Sequence, residues 1–211
     1  MKRLLLFLPF FVAACDNVAT DPAVRPSFSA NIGANANGNK LQCFSGTTDA
    51  LGFGGTCSLT ETGVGTLDNT DGNTNGDYSG VYIQNSNLNG KSLAEVALLG
   101  FNYTGTALAG SPRISLPLDT DGDGVSDTYA FISAFHCNDG AGLVDAINDE
   151  TCTIFVSPQI SGYDNWAAFE AANPTYTIGP DGALPFIIAD DVGSWTVSNV
   201  RLGKGPARAV R

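Results

Sequence analysis

This chain has little of what catalysis and nucleic-acid binding draw on. Its 211 residues include one histidine, one methionine and ten basic side chains against 21 acidic ones, for a net charge of −11. A surface of that sign repels phosphate backbones, which speaks against DNA and RNA as partners. The single imidazole, His136, excludes multi-histidine metal centres. There is no C-x-x-C pair to hold zinc and no G-x-S-x-G turn to present a serine nucleophile. Only four acids are Glu (Glu61, Glu95, Glu150 and Glu170), and the rest are Asp. Glu suits helices and Asp suits turns and metal loops, so the acidity belongs to loops. The longest apolar run, residues 4–14, has eleven positions, against about 20 for a helix that crosses a bilayer.

What is present begins with an export signal. Lys2 and Arg3 form a short positive region, and residues 4–14 form its apolar stretch. That stretch ends in Val12-Ala13-Ala14-Cys15, which resembles the lipobox of bacterial lipoproteins. The resemblance implies cleavage after residue 14 and a lipid on Cys15, hence a membrane partner and a periplasmic or cell-surface location. Asp16 resembles the inner-membrane retention signal of some Gram-negative lipoproteins, and the final leaflet is left open.

The cysteine arithmetic agrees with that reading. Five cysteines leave four once Cys15 is set aside: Cys43, Cys57, Cys137 and Cys152. Four cysteines allow three connectivities. The local one, Cys43–Cys57 with Cys137–Cys152, closes two short loops. By the chain-entropy account each contributes about 3 kcal/mol. Paired cysteines imply an oxidising compartment.

The organisation expected is a signal over residues 1–14, a flexible tether over 15–40, one β-sandwich over 41–203 and a basic tail over 204–211. The tether is read from Asp21-Pro22, Arg25-Pro26 and an Asn/Gly/Ala-rich stretch at 31–39. A first strand near Ser27–Ile32 is the alternative there. Alternation and turn signals predict strands over 81–84, 97–104, 112–118, 128–137, 151–156, 176–178, 185–189 and 195–202. Ser92 and Glu95 have capping-box spacing for one helical turn. Residues 164–173 predict a helix with Trp166, Phe169 and Ala172 on one face and Pro174 as its stop. Short strands joined by Gly, Asn and Asp turns give an all-β, jelly-roll-type sandwich with one short helix.

Three motifs in this order resemble the exported bacterial jelly-roll domains related to carbohydrate-binding modules. They are Pro112-Arg113-Ile114-Ser115-Leu116 before an Asp-rich loop, Trp166-Ala167-Ala168-Phe169-Glu170-Ala171-Ala172-Asn173-Pro174, and the closing Thr196-Val197-Ser198-Asn199-Val200-Arg201-Leu202. Ser198 stands where the family's last strand often has Asp. The resemblance covers roughly residues 80–203. It implies a fold more than a ligand.

The strongest chemical signal is Asp119-Thr120-Asp121-Gly122-Asp123-Gly124-Val125-Ser126-Asp127. Carboxylates at loop positions 1, 3, 5 and 9 with Gly at 6 have the spacing of an EF-hand-type calcium loop. The predicted ligands are Asp119, Asp121, Asp123, the Val125 carbonyl and Asp127, and the predicted cofactor is Ca²⁺. Position 12 is Ala130 rather than the bidentate Glu, so water or another loop must complete the shell and affinity should be weak. A weaker second loop has Asp71, Asn73 and Asn75, with Gly76 following.

The remaining candidates are few. His136 reads as structural, because no nucleophile or acid is placed beside it in sequence. The Glu residues show no pairing that glycoside hydrolysis would use. Tyr163, in a Gly162-Tyr163-Asp164 loop, is chosen as an aromatic platform for a sugar ring. The functional reading is a non-enzymatic cell-surface calcium-binding lipoprotein that acts as a binding or display module, with extracellular carbohydrate as its ligand class. A structural subunit of an extracellular assembly is the second reading, a glycan-active enzyme the third. Oligomeric state is left open.

Overall fold

A computed structural model describes residues 27–34, 38–47, 54–70, 77–84, 86–108, 110–137, 142–158 and 162–204, the first of these segments by its backbone. Among these residues the chain forms two antiparallel sheets and one α-helix. The larger sheet holds β1 (Ser27–Ala34), β2 (Lys40–Thr47), β5 (Asp77–Gln84), β6 (Lys91–Ser92), β8 (Arg113–Asp119), β9 (Thr128–Ser133), β11 (Phe155–Val156), β12 (Thr177–Ile178) and β13 (Phe186–Ala189). The smaller sheet holds β3 (Thr56–Leu59), β4 (Gly65–Asp68), β7 (Val96–Thr104), β10 (Leu143–Asp145) and β14 (Ser194–Lys204).

The strand order makes this a jelly roll. Eight strands, β4, β5, β7, β8, β9, β10, β13 and β14, form its frame. Within one sheet they run β5-β13-β8-β9, and within the other β4-β14-β7-β10. Counted along the chain, that is 2-7-4-5 packed on 1-8-3-6, the pairing of two interlocked Greek keys. Four of the other six extend the edges, β2 and β1 beyond β5, β11 beyond β9, and β3 beyond β4, while β12 pairs the end of β8 and carries β6.

Alternation decides which side chains meet between the sheets. Leu41, Val81, Ile83, Ile114, Leu116, Leu118, Ile132 and Ile187 point inward from the larger sheet, and all are buried. Leu67, Leu99, Phe101, Trp195 and Val197 answer from the smaller. Each such side chain contributes about 1.5–3 kcal/mol on leaving water. The Cys43–Cys57 disulfide joins β2 of one sheet to β3 of the other, and Cys137–Cys152 closes the segment that carries β10. Both pairs are the expected ones and fit an oxidising, extracellular environment. No helix among the described residues is long and apolar enough to cross a membrane.

Several boundaries differ from the sequence reading. The segment expected as tether contains β1, which pairs β2, so the alternative first strand is the one observed. Residues 1–26, with the signal and Cys15, lie outside the described residues, as do 205–211 of the basic tail, whereas Lys204 ends β14. Strand 151–156 shrinks to β11, because Asp149 turns the chain by accepting the Thr151 N–H at 2.8 Å and Cys152 is tied to Cys137. The Ser92–Glu95 box forms as expected, with Ser92 N–H donating to Glu95 at 3.1 Å. The helix α1 (Trp166–Ala172) starts at Asn165, whose side chain accepts the Ala168 N–H at 2.9 Å.

Candidate functional site

The Asp loop leaves β8 and returns through β9, so both of its ends are fixed by a paired strand. Asp119 is the last residue of β8 and only 3 % exposed. Its two oxygens accept N–H groups from Gly122 (2.7 Å) and Gly124 (3.1 Å). That fold-back needs positive φ at both glycines, 81° and 88°, which glycine adopts without a Cβ clash. Asp127 closes the loop from the other end by accepting the Thr120 N–H (2.8 Å) and hydroxyl (2.9 Å).

Three of the four predicted carboxylates converge. Asp119, Asp121 and Asp127 each offer an oxygen, and these oxygens lie within 4.8 Å of one another. Oxygens on one calcium lie about 2.3–2.6 Å from it, so that spread fits a single hard cation between them. Asp123 does not join them. Its Oδ1 accepts the Val125 N–H at 2.8 Å. An acid the sequence reading missed stands at the rim: Asp181 accepts the Ser126 hydroxyl at 2.7 Å and its N–H at 3.3 Å. The Pro180-Asp181-Gly182 turn was the only signal for it. The N–H and hydroxyl of Thr120 hold Asp127 below the usual carboxylate range, and the Ser126 hydroxyl does the same for Asp181. The second loop, Asp71, Asn73 and Asn75, lies outside the described residues.

The outward face of the larger sheet is aromatic. One register row crosses five adjacent strands: Tyr82, Phe186, Ser115, Phe131 and Phe155. Phe44 packs beside it, its ring centre 4.5 Å from Tyr82 and 5.8 Å from Phe186, and Tyr129 lies 5.6 Å from Phe186. Burial, then Tyr129 and Tyr78, push the Tyr82 phenol up, so it stays protonated. Ser115 sits in the row at 1 % exposure, and its Oγ has no hydrogen-bond partner.

Polar groups flank these rings. Arg113 lies 5.2 Å from the Phe131 ring centre and forks onto Asp190, with Nη2–Oδ2 at 2.6 Å. Burial opposes the Asp190 charge, but the Arg113 guanidinium and Ser111 hydroxyl overcome it and hold the carboxyl low. A pocket of about 240 Å³ opens beside them, lined by Arg113, Phe131, Ser133, His136 and Phe155.

The structure does bring a serine to the single histidine. Ser133 Oγ lies 2.8 Å from His136 Nδ1 and also accepts the His136 backbone N–H at 3.3 Å. The hydroxyl satisfies either ring tautomer, donating to a bare Nδ1 or accepting from Nδ1–H with its second lone pair. Burial against Phe135 and Phe155 lowers the imidazole pKa. Among the described residues no carboxylate orients the ring, so the pair lacks the third member of a nucleophile relay.

Tyr163, the predicted platform, is held elsewhere. Its backbone pairs with Ile154 in both directions (2.8 and 2.9 Å), and its ring packs 5.1 Å from Phe169 on the edge of the core.

Compared with protein-family models, curated proteins and solved structures, the chain matches none. Fold and site together define a class: a disulfide-stapled jelly-roll sandwich with an acidic loop and an aromatic sheet face.

Proposed function

We propose that the protein is a non-enzymatic, calcium-stabilised binding module, held at a bacterial cell surface by lipid on Cys15, whose ligand is a carbohydrate chain. The observation that carries this reading is the aromatic row Tyr82, Phe186, Ser115, Phe131 and Phe155. Five strands at about 4.8 Å spacing make it roughly 19 Å long, room for several sugar rings. Aromatic faces stack on the C–H faces of sugars, and the hydroxyls, guanidinium and imidazole N–H around them match sugar hydroxyls. Calcium has a structural part: Asp119, Asp121 and Asp127 would hold it, and its charge would offset their mutual repulsion.

The test is affinity electrophoresis of the soluble domain against a polysaccharide panel. Binding to at least one glycan, weakened by Tyr82→Ala and by Phe131→Ala but not by Tyr163→Ala, is expected. Reducing sugar released by the wild type and lost on changing one carboxylate would put the enzyme first. A second reading has its own observation: among the described residues β1 lies at the sheet edge and pairs only β2, so it is open to exchange between copies. Filaments by electron microscopy, with no glycan bound, would favour that structural subunit.

A further inference from the structure

The aromatic row ends, on β11, in the pocket of about 240 Å³. Phe131 and Phe155, register partners on β9 and β11, give that pocket a mostly apolar wall. The Arg113 guanidinium lies 5.2 Å from the Phe131 ring centre, and the His136 ring centre lies 4.7 Å from that of Phe155. The polar groups around this wall are unequally free. Both Asp190 oxygens are taken, by Arg113 and the Ser111 hydroxyl. Ser133 Oγ is taken by His136, at Nδ1 and at the backbone N–H. Arg113 has five N–H donors and gives one to the Gly110 carbonyl and two to Asp190. Its other two make no hydrogen bond within the chain, and neither does His136 Nε2. None of these nitrogens is among the unpartnered atoms shut off from solvent. Carbon walls and spare donors are thus what the pocket offers, while the oxygens beside it are already engaged.

That inventory selects among the groups a sugar can carry. A hydroxyl pressed between the two rings must also donate, and the nearby acceptors are committed, so its proton goes unmet. An ammonium group meets the Arg113 charge. A carboxylate meets a guanidinium already neutralised by Asp190, on a protein of net charge −11. An acetamido group fits all three features: its methyl is apolar, its carbonyl only accepts, and it has no net charge. The volume is below the about 300–1,000 Å³ of pockets that enclose a whole ligand, which suits a substituent. We propose that this pocket takes the N-acetyl group of an acetamido sugar, its methyl against Phe131 and Phe155 and its carbonyl oxygen accepting from Arg113. The inference rests on the glycan reading and names the class of sugar at one end of the row.

Chitotetraose and cellotetraose share one backbone and differ only in an acetamido group for a hydroxyl on each ring. His136 is the single histidine, so in untagged protein its ring signals report on this pocket alone. Chitotetraose should bind about tenfold or more tighter than cellotetraose and move the His136 signals saturably. N-acetylglucosamine alone should move them too, at higher concentration, and glucose should not. Phe155→Ala and Arg113→Lys, which keeps the charge beside Asp190 but loses the planar fork, should bring the two affinities together. Tyr82→Ala, at the far end of the row, should weaken both ligands and leave their ratio unchanged. Equal affinity of the wild type for the two tetrasaccharides overturns the proposal while the glycan reading stands. His136 signals moved by glucuronate and not by N-acetylglucosamine do the same. A protein that binds no member of the polysaccharide panel loses both.

Discussion

Gly80 lies beneath the ring of Phe44, so close that a Cβ on Gly80 would stand 2.4 Å from Phe44 Cζ and 2.4 Å from the Ile187 carbonyl. The two residues face each other across β5 and β2. The missing side chain lets the ring lie down on the sheet against Tyr82. Gly46 does the same for Tyr78, whose hydroxyl a Cβ would meet at 2.5 Å. Glycine thus shapes the aromatic face by leaving room for rings.

Gly80→Ala should therefore destabilise the domain by about 1–3 kcal/mol, the usual range for overpacking. Urea unfolding measures it. Since the ring must lift or the strand must shift, glycan affinity should fall as well. A variant as stable as the wild type would mean that the ring is not seated on Gly80.

Calcium should raise the melting temperature. A weak extracellular site has a Kd of about 10⁻⁴–10⁻³ M. At roughly 10 mM calcium, mass action then adds about 1.4–2.7 kcal/mol. Thermal melts in calcium and in EDTA test this, with Asp121→Ala abolishing the difference. Asp123→Ala, outside the cluster, should keep most of it. Equal melting temperatures with and without calcium would remove the metal from the reading.

Acid should loosen the same region in a defined window. Thr120 lowers the Asp127 pKa and Ser126 lowers that of Asp181. A carboxylate lowered in the folded state stabilises it above the unfolded value of about 3.9, and that contribution is lost as pH falls through the lower folded value. In EDTA, Asp181→Asn should lower the melting temperature at pH about 6 and leave it little changed at pH about 2.5. Equal loss at both would show that the Ser126 contact is not charge-dependent.

Anchoring is tested apart from folding. Wild type expressed in a bacterial host should fractionate with membranes and carry acyl mass on Cys15, since a multiply acylated residue holds stably where one chain holds marginally. Cys15→Ser should be soluble. A soluble, unacylated wild type would leave an ordinary secreted domain.

Local features were legible in the sequence and long-range ones were not. β8 announced itself through Ile114, Leu116 and Leu118 in alternation, α1 through Trp166 and Phe169, and the Asp loop through its spacing, because each signal lies within a dozen residues. That Asp123 Oδ1 accepts the Val125 N–H was not visible in the spacing. β2 was hidden beside an Asn/Gly/Ala-rich stretch, although Leu41 and Cys43 alternate with Gln42 and Phe44. The aromatic face had no sequence signal at all. Tyr82, Phe131 and Phe186 are far apart in the chain and meet only through the pairing of β5, β13, β8 and β9. Tyr163 was chosen because a loop aromatic is conspicuous; that its ring also packs against Phe169 was not visible locally.

The two disulfides should differ in how they yield to reductant. Thiol–disulfide exchange needs an attacking thiolate to reach a sulfur. Cys137 and Cys152 are both fully buried, whereas Cys57 is half-buried on β3 at the edge of the smaller sheet. Under mild dithiothreitol without denaturant, Cys43–Cys57 should open first, read by alkylation and peptide mass mapping. That bond spans the two sheets across a 14-residue separation, so its loss should cost about 3 kcal/mol by loop-closure entropy. The double variant Cys43→Ala with Cys57→Ala should show the same loss in urea while keeping Cys137–Cys152 intact. Labelling of Cys137 and Cys152 ahead of Cys57 would mean that the segment carrying β10 opens more readily than the edge of the sandwich.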